Sequence, residues 1–396
     1  MRLSLCMIVR DEEATLRRCL NSVQGVVDEI IVVDTGSRDR TIAIAKDCKA
    51  SVYPFTWCDD FAAARNESLK YAQGDWILVL DADEVLVPES VPALQQAMQL
   101  DDAIAIALLR EEVGTHHPDS QLSRVFRRHP AITFTRPYHE LIDDSVTRLL
   151  QQEPHWRVVA LPDIAIQHTG YQAGAINQRQ KVERARTIME RYHTAHPDDA
   201  YICSKLGALY IDLGDLARGL ALLQQGLETA TEAAVLYELH YHLGSFYGQQ
   251  QQLDQAAWHY EAAIAQPLPQ RLQLGAYNNW GNVLKEQGDL VKAKALYETT
   301  IAIEPTAPVG YYNLGLTLKA MGQLQDAIVQ YQRAIQLQPR YAEAHQNLGV
   351  ALLKAGNVVA SLEAFQQAIA LYEQQQAPEA THLRDTLKQM GLLSSI

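Results

Sequence analysis

Three carboxylates within four positions, Asp81, Asp83 and Glu84, follow directly on the apolar run at residues 76–80. That run reads as a strand. If it continued through the motif, its alternation would put Asp81 and Asp83 on one side. Acidic groups so close repel each other, and one is driven to protonate unless a cation sits between them. A hard divalent ion with oxygen ligands resolves the conflict and would also hold a diphosphate. The alternative is a solvated acidic loop.

Two more loops sit where apolar runs end. Arg10-Asp11-Glu12-Glu13 follows residues 3–9, and Asp34-Thr35-Gly36-Ser37-Arg38-Asp39 follows residues 29–33. Asp34 could accept hydrogen bonds from a nucleobase or ribose, or it could hold a plain turn, with Ser37 or Asp39 capping the next helix. These loops matter together because open α/β sheets bind ligands outside the carboxyl ends of their strands.

The elements that must position these residues are legible from periodicity. Residues 3–9, 29–33, 51–53, 76–80 and 103–109 read as strands; 12–23, 41–48, 62–72 and 91–100 read as helices. Near-continuous apolar strands alternating with helices predict a parallel α/β sheet covered on both faces. Near residue 175 the pattern changes. Glycine recurs at Gly207, Gly244, Gly281, Gly315 and Gly349, at spacings of 37, 37, 34 and 34. Around the last three the register is tight, with a second glycine seven later (Gly288, Gly322, Gly356), a small residue at twelve (Ala293, Ala327, Ser361) and an aromatic at sixteen (Tyr297, Tyr331, Phe365). This resembles the tetratricopeptide repeat, a helix–turn–helix of about 34 residues. Small residues admit close helix approach, aromatics fill the space between repeats, and Pro305 and Pro339 end second helices. The first two units are looser: Gly219 takes the small position of one, and Gln251 replaces the turn glycine of the other.

The resulting division is an α/β domain at 1–175, a linker helix at 176–199, about five repeats at 200–378 and, at 379–396, a capping helix formed by the tail 381–393.

Composition bounds the function. The chain has 396 residues and a formal charge of −13, which argues against a general nucleic-acid or anionic-membrane binder. No apolar run reaches the length of a membrane helix. The five cysteines include no C-x-x-C pair, which disfavours a disulfide framework or a cysteine zinc site and fits a reducing cytoplasm. The adjacent His116 and His117 cannot share a helical face and read as loop residues. No G-x-x-x-x-G-K-[ST], G-x-G-x-x-G or H-E-x-x-H motif occurs.

Taken in order, Cys6-Met7-Ile8-Val9-Arg10-Asp11-Glu12, Val33-Asp34-Thr35-Gly36-Ser37 and Leu80-Asp81-Ala82-Asp83-Glu84 resemble the motifs of family 2 glycosyltransferases with the GT-A nucleotide-sugar-binding fold. The similarity covers residues 1–172, and the segment 57–66, ending in Arg65-Asn66, matches the family's helix before the acidic motif. Within the family the chain is similar to a bacterial branch that includes peptide S-glycosyltransferases. The resemblance implies a metal-dependent, inverting, hexosyl-type transferase using a nucleotide-sugar, UDP-sugar first. It implies that Asp34 binds the base or ribose, that Arg10 and Glu12 line the base pocket, and that Arg65 faces the nucleotide or sugar. Asp81 would orient the sugar and ribose, while Asp83 would ligate Mn²⁺ or Mg²⁺.

His168, at the end of the run 164–168, resembles the family's late histidine and joins Asp83 as a metal ligand, an imidazole favouring Mn²⁺. Pro137-Tyr138-His139-Glu140 resembles the acceptor-side motif of the branch. Glu140 is the candidate general base with His139 as alternative, against a reading as a solvated loop. In Ser123-Arg124-Val125-Phe126-Arg127-Arg128, Arg124 could approach the diphosphate, or the run could be solvated charge. The repeats imply a protein or peptide acceptor or partner. A transferase fold reduced to an inactive scaffold is the competing reading. A nucleotidyltransferase is disfavoured because residues 9–13 lack the glycine-rich, basic triphosphate loop.

Overall fold

The computed structural model describes residues 1–113, 120–169 and 175–392. His116, His117, Gly170, Tyr171 and Leu393 lie outside the described residues. Two compact units divide the chain, Met1–Gly214 and Asp215–Ile396.

The first unit is built on eight strands: β1 (Leu3–Val9), β2 (Glu29–Asp34), β3 (Ser51–Pro54), β4 (Trp76–Val79), β5 (Glu84–Leu86), β6 (Ala103–Glu112), β7 (Ser120–Arg127) and β8 (Arg157–His168). They form one sheet in the order β3-β2-β1-β4-β7-β6-β8-β5. The pairs β1–β2, β1–β4, β2–β3 and β6–β8 are parallel. The pairs β4–β7, β6–β7 and β5–β8 are antiparallel. The sheet is therefore mixed, where strand–helix alternation predicted a parallel one. The difference lies in two strands: β7, whose arginine-rich sequence masks a strand that turns back between β4 and β6, and the short β5, which runs antiparallel to β8 at the sheet's edge.

Seven helices accompany the sheet: α1 (Leu16–Ser22), α2 (Thr41–Asp47), α3 (Phe61–Leu69), α4 (Val91–Met98), α5 (Asp143–Gln152), α6 (Ala175–Ala195) and α7 (Ala200–Asp212). Strand alternation feeds two cores. Leu5, Met7, Val32, Trp76 and Leu78 pack with Leu16, Ile44 and Leu94 of α1, α2 and α4. Cys6, Ile31, Ile77, Val79 and Phe126 pack on the other face with Ala62, Val146 and Leu149 of α3 and α5. Burial on both faces is why the parallel strands read as unbroken apolar runs. The linker helix expected at 176–199 is α6. It and α7, the helix of Gly207, belong to the first unit, so the unit boundary falls inside the segment read as the first repeat.

The second unit is helical: α8 (Leu216–Thr229), α9 (Ala233–Gln249), α10 (Leu253–Ile264), α11 (Leu274–Gln287), α12 (Leu290–Ile303), α13 (Pro308–Ala320), α14 (Leu324–Leu337), α15 (Ala342–Lys354), α16 (Val358–Gln374) and α17 (Glu379–Gln389). The repeat pattern has a plain steric origin. A Cβ on Gly281, Gly315 or Gly349 would come within 2.7 Å of the ring of Tyr297, Tyr331 or Phe365 respectively. Each aromatic thus lies on the glycine of its own repeat, inside the helix pair, and also joins the core shared with the next repeat. Gly288, Gly322 and Gly356 have φ near +80°, the left-handed conformation that ends a first helix. The capping helix is present as α17, with Leu383 and Leu387 buried against Phe365 and Tyr372 of α16.

Candidate active site

Because β1, β2, β3 and β4 run parallel, their carboxyl ends share one edge, and Val9 pairs with Asp34 across that edge. The acidic motif emerges there, but not as an extended strand. β4 ends at Val79, and a turn over Ala82 and Asp83 separates it from β5. Glu84 closes the turn: its N–H donates to the Asp81 carbonyl at 3.0 Å, and its Oε2 accepts the Asp81 N–H at 2.8 Å. The turn sends Asp81 and Asp83 to different partners, so the shared side expected from continued alternation does not occur.

Asp81 is held by two guanidinium groups, Arg65 Nη2 at 2.5 Å and Arg124 Nη2 at 2.9 Å. Burial pushes the Asp81 carboxyl up, but Arg124 and Arg65 outweigh it and hold the group well below the usual carboxylate range. Arg65 comes from α3, whose start is set by Asp60 accepting the Ala63 N–H at 2.8 Å. Its Nε donates to Glu140 Oε1 at 2.6 Å, so one guanidinium links the sugar-orienting candidate to the general-base candidate. Glu84, fully buried, takes Arg124 and Arg110, each at 3.0 Å. The charge run at 123–128 is therefore not solvated. Arg124 enters the site, while Arg127 stacks on Trp76 and donates to the Ala103 carbonyl.

Asp83 faces His168, with Oδ2 and Nε2 3.0 Å apart, and Glu112 Oε2 lies 2.6 Å from His168 Nδ1. Hydrogen bonds to Asp83 and Glu112 push the imidazole up to about 10. Sheet register explains the meeting, since Glu84 and Glu112 are both strand partners of His168. Glu84, Arg110 and Glu112 were not singled out by sequence reasoning. Only Glu84 carried a sequence cue, by its place in the acidic motif; the other two are recruited by pairing of β6 with β8.

The remaining candidates stand around this network. Burial, with the charges of Asp83 and Asp81, raises the Glu12 carboxyl, which brings the first loop into the field of the acidic motif. Arg10 is exposed at the tip of β1. Asp34 is buried and accepts the Gly36 and Ser37 N–H groups at 3.1 and 3.2 Å, holding the turn. Glu140 is 12% exposed and ion-paired rather than solvated, whereas His139 is exposed, with its ring edge against Tyr138. Arg136 and His139 both have left-handed backbones, φ +67° and +54°. Arg136 is tied down by Asp144 at 2.7 Å and Asp199 at 2.8 Å, which offsets such strain beside the site.

At this site three buried guanidinium nitrogens, Arg65 Nη1, Arg110 Nε and Arg124 Nε, have no hydrogen-bond partner among the described residues. Buried unpaired donors of this kind fit an anionic ligand. Among the described residues no group of three or more His, Cys, Asp or Glu side chains is set to hold a metal. Asp83 with His168 could supply two donors, and the Glu112 contact to Nδ1 is of the kind that orients a ligating imidazole. Two protein donors suit a divalent ion whose other positions are filled by substrate phosphates. No helix among the described residues is long and apolar enough to cross a membrane.

Comparison with known proteins agrees with this architecture. The model of glycosyl transferase family 2 matches residues 4–159, and tetratricopeptide-repeat models match 296–329, 317–356 and 342–375. A TPR repeat-containing protein of Synechococcus elongatus is 47% identical over 306 residues, 77% of this chain and 76% of its own. The SPbeta prophage-derived glycosyltransferase SunS of Bacillus subtilis is 28% identical over 204 residues, 49% of this chain and 45% of SunS. An uncharacterized glycosyltransferase of Rickettsia felis is 39% identical over 88 residues, 22% of this chain and 31% of its own. The motif-bearing sheet edge, the family match and the repeat matches converge: the chain carries an N-terminal glycosyl transferase family 2 domain followed by C-terminal tetratricopeptide repeats.

Proposed function

We propose that the protein is a metal-dependent, inverting hexosyltransferase that moves a sugar from a nucleotide diphosphate donor, a UDP-sugar, to a protein or peptide acceptor. The observation that carries the reading is the Asp81–Arg65–Glu140 chain beside the Asp83–His168 pair, with three buried guanidinium N–H groups left for an anion. Asp34, Arg10 and Glu12 line the base and ribose side. Asp81 orients the sugar, and Arg124 stands towards the diphosphate. Glu140 commits one oxygen to Arg65 and uses the other to take the proton of the acceptor hydroxyl or thiol, with His139 the alternative base. The acceptor then bonds to the anomeric carbon from the face opposite the diphosphate, the bond to the β-phosphate oxygen breaks, and the electron pair leaves with the nucleotide. Asp83 and His168 would hold Mn²⁺ or Mg²⁺, which would supply positive charge against the charge that develops on the leaving phosphate. Arg65 and Arg124 are aimed at the same region before reaction, so they need no reorganisation during it.

The repeats supply a recruiting surface for the acceptor, since stacked repeats present an extended face to a peptide or protein. The test is thermal shift with UDP-hexoses, with and without Mn²⁺, on the native protein and on Asp83→Ala. A ligand that binds only the folded state raises its stability by mass action. The expected outcome is a Mn²⁺-dependent rise with at least one UDP-hexose, lost in Asp83→Ala although that variant melts normally when unliganded. An equal rise in Asp83→Ala would remove the metal assignment.

A further inference from the structure

The first helices of consecutive repeats, α11, α13 and α15, neighbour one another and form one face of the second unit. Three lysines recur on them, Lys285, Lys319 and Lys354, at spacings of 34 and 35. Lys319 is the sole charged residue of α13. The carboxylates of the flanking helices are Glu286 on α11, next in sequence to Lys285, and Glu343 in the first turn of α15. None of the three lysines forms an ion pair with a described residue, whereas Lys292 and Lys294 on α12 pair with Asp289 and Glu298.

Neutral amides hold two of these ammonium groups in place. Lys319 Nζ donates to Asn347 Oδ1 at 2.5 Å, and Asn347 is itself fixed by donating to Tyr312 Oη at 3.1 Å. Lys285 Nζ is 3.5 Å from Asn282 Oδ1, which accepts from Tyr297 Oη at 2.8 Å. Lys285 and Lys319 are half-buried, and Lys354 is exposed. Burial lowers both half-buried ammonium groups, and Lys319 is lowered further by the charges of Lys354 and Lys285. Half-buried like charges that feel one another and are held by neutral amides rather than by ion pairs cost stability. The cost persists in a unit whose acidic residues outnumber its basic ones, and a ligand carrying carboxylates would offset it.

We propose that this lysine row is the docking site for an acidic, extended peptide segment, the carboxylates of which alternate with the three ammonium groups. Neighbouring helices stand about 10 Å apart, and an extended chain advances about 3.3 Å per residue. Acidic side chains near every third residue therefore match the row. The proposal rests on the repeats being the recruiting surface, but it concerns binding alone and its test involves no sugar transfer.

The test is fluorescence anisotropy with the full chain and a labelled peptide bearing glutamate at every third position, separated by glycine and serine, against its glutamine counterpart. The expected result is tighter binding of the glutamate peptide, weakening with salt. Lys319→Gln should lose about tenfold in affinity, Lys285→Gln and Lys354→Gln somewhat less, and Lys292→Gln nothing. Circular dichroism on each variant separates lost binding from lost fold. Equal binding of the two peptides, or affinity unchanged in a folded Lys319→Gln, would overturn the assignment. Failure of the native protein to bind any UDP-hexose with Mn²⁺, with peptide binding intact, would count against the transferase reading and leave the lysine row standing.

Discussion

Arg65 in the α/β unit and Tyr331 in the repeat unit are both shut away from water, 4% and 0% exposed. Arg65 is tolerated there because Asp81 and Glu140 neutralise it, each through one specific atom pair. Tyr331 is tolerated because Gly315 leaves room for its ring, and the same glycine-under-aromatic contact recurs at Gly244, Gly281 and Gly349. The α/β unit thus concentrates its tension in a few charged groups with no duplicate. The repeat unit spreads one steric rule over many copies, each touching only its neighbours. A group with no duplicate, held under strain or desolvation at a sheet edge, is where function is expected; a repeated contact is where tolerance is expected.

The sharpest way to break this contrast is Arg65→Met. Removing the guanidinium leaves Asp81 and Glu140 without their shared partner, and truncating one member of a buried ion pair costs about 3–5 kcal/mol. Urea unfolding followed by a probe in the α/β unit should show that loss, together with loss of UDP-sugar binding, while the repeat unit keeps its midpoint. A variant that unfolds at the native midpoint would show that the network is open to solvent.

The same contrast explains what could be read from the sequence. The repeat period and its turn glycines were legible because one local rule is written several times, and Gly281, Gly315 and Gly349 each report it. The strands β1 to β4 were legible because burial on both faces makes them unbroken apolar runs. The α/β unit's charge pairing was not. Asp81 and Asp83 looked like partners by spacing, but the tight turn closed by Glu84 separates them, and a turn held by a side-chain hydrogen bond leaves no periodic trace. Arg110 and Glu112 reach the site only through the pairing of β6 with β7 and β8, a long-range register that local pattern does not encode. Residues 120–127 failed as a strand reading because Arg124 and Arg127 point into two different buried environments, which mimics a solvated run.

The repeat unit has its own buried titratable pair, and it sharpens the comparison by pH. His240 on α9 and His259 on α10 face each other with Nδ1 atoms 3.0 Å apart. One must donate and the other accept, so protonation of both rings breaks the contact, and burial disfavours the charge of either. Burial lowers both, and burial with the His240 charge brings His259 down to about 4. The folded value lies below the unfolded one of about 6.5, so the unfolded chain takes up protons first as pH falls. Stability is then complete above about pH 6.5 and is lost progressively towards pH 4. The Asp81 carboxyl is also lowered, but from the usual carboxylate range, so its contribution persists through that window and is lost only at more acid pH. Urea midpoints for the two units between pH 7 and 4 should therefore diverge, and His259→Gln should flatten the repeat unit's profile. Parallel profiles would mean that the histidine pair is open to water.

The smallest effect tests the repeat rule where it is violated. Gly214, Gly288, Gly322 and Gly356 end first helices at φ between +79° and +85°, but the second repeat has Gln251 at φ +57° in that place. A side chain there puts Cβ against the following carbonyl, at about 1–2 kcal/mol. Glycine removes that strain but gives the unfolded chain more freedom, which returns about 0.5–1 kcal/mol. Gln251→Gly should therefore stabilise the repeat unit by only about 0.5–1 kcal/mol. The Gln251 N–H reaches the Gly248 carbonyl at 3.0 Å through the backbone, so the substitution keeps the turn bond. A raised urea midpoint with unchanged slope would show that the turn conformation is set by the repeat and merely endured by the glutamine. A lowered midpoint would show that the Gln251 side chain contributes packing that the glycines of the other repeats do without, and that the second repeat departs from the common rule by more than one residue.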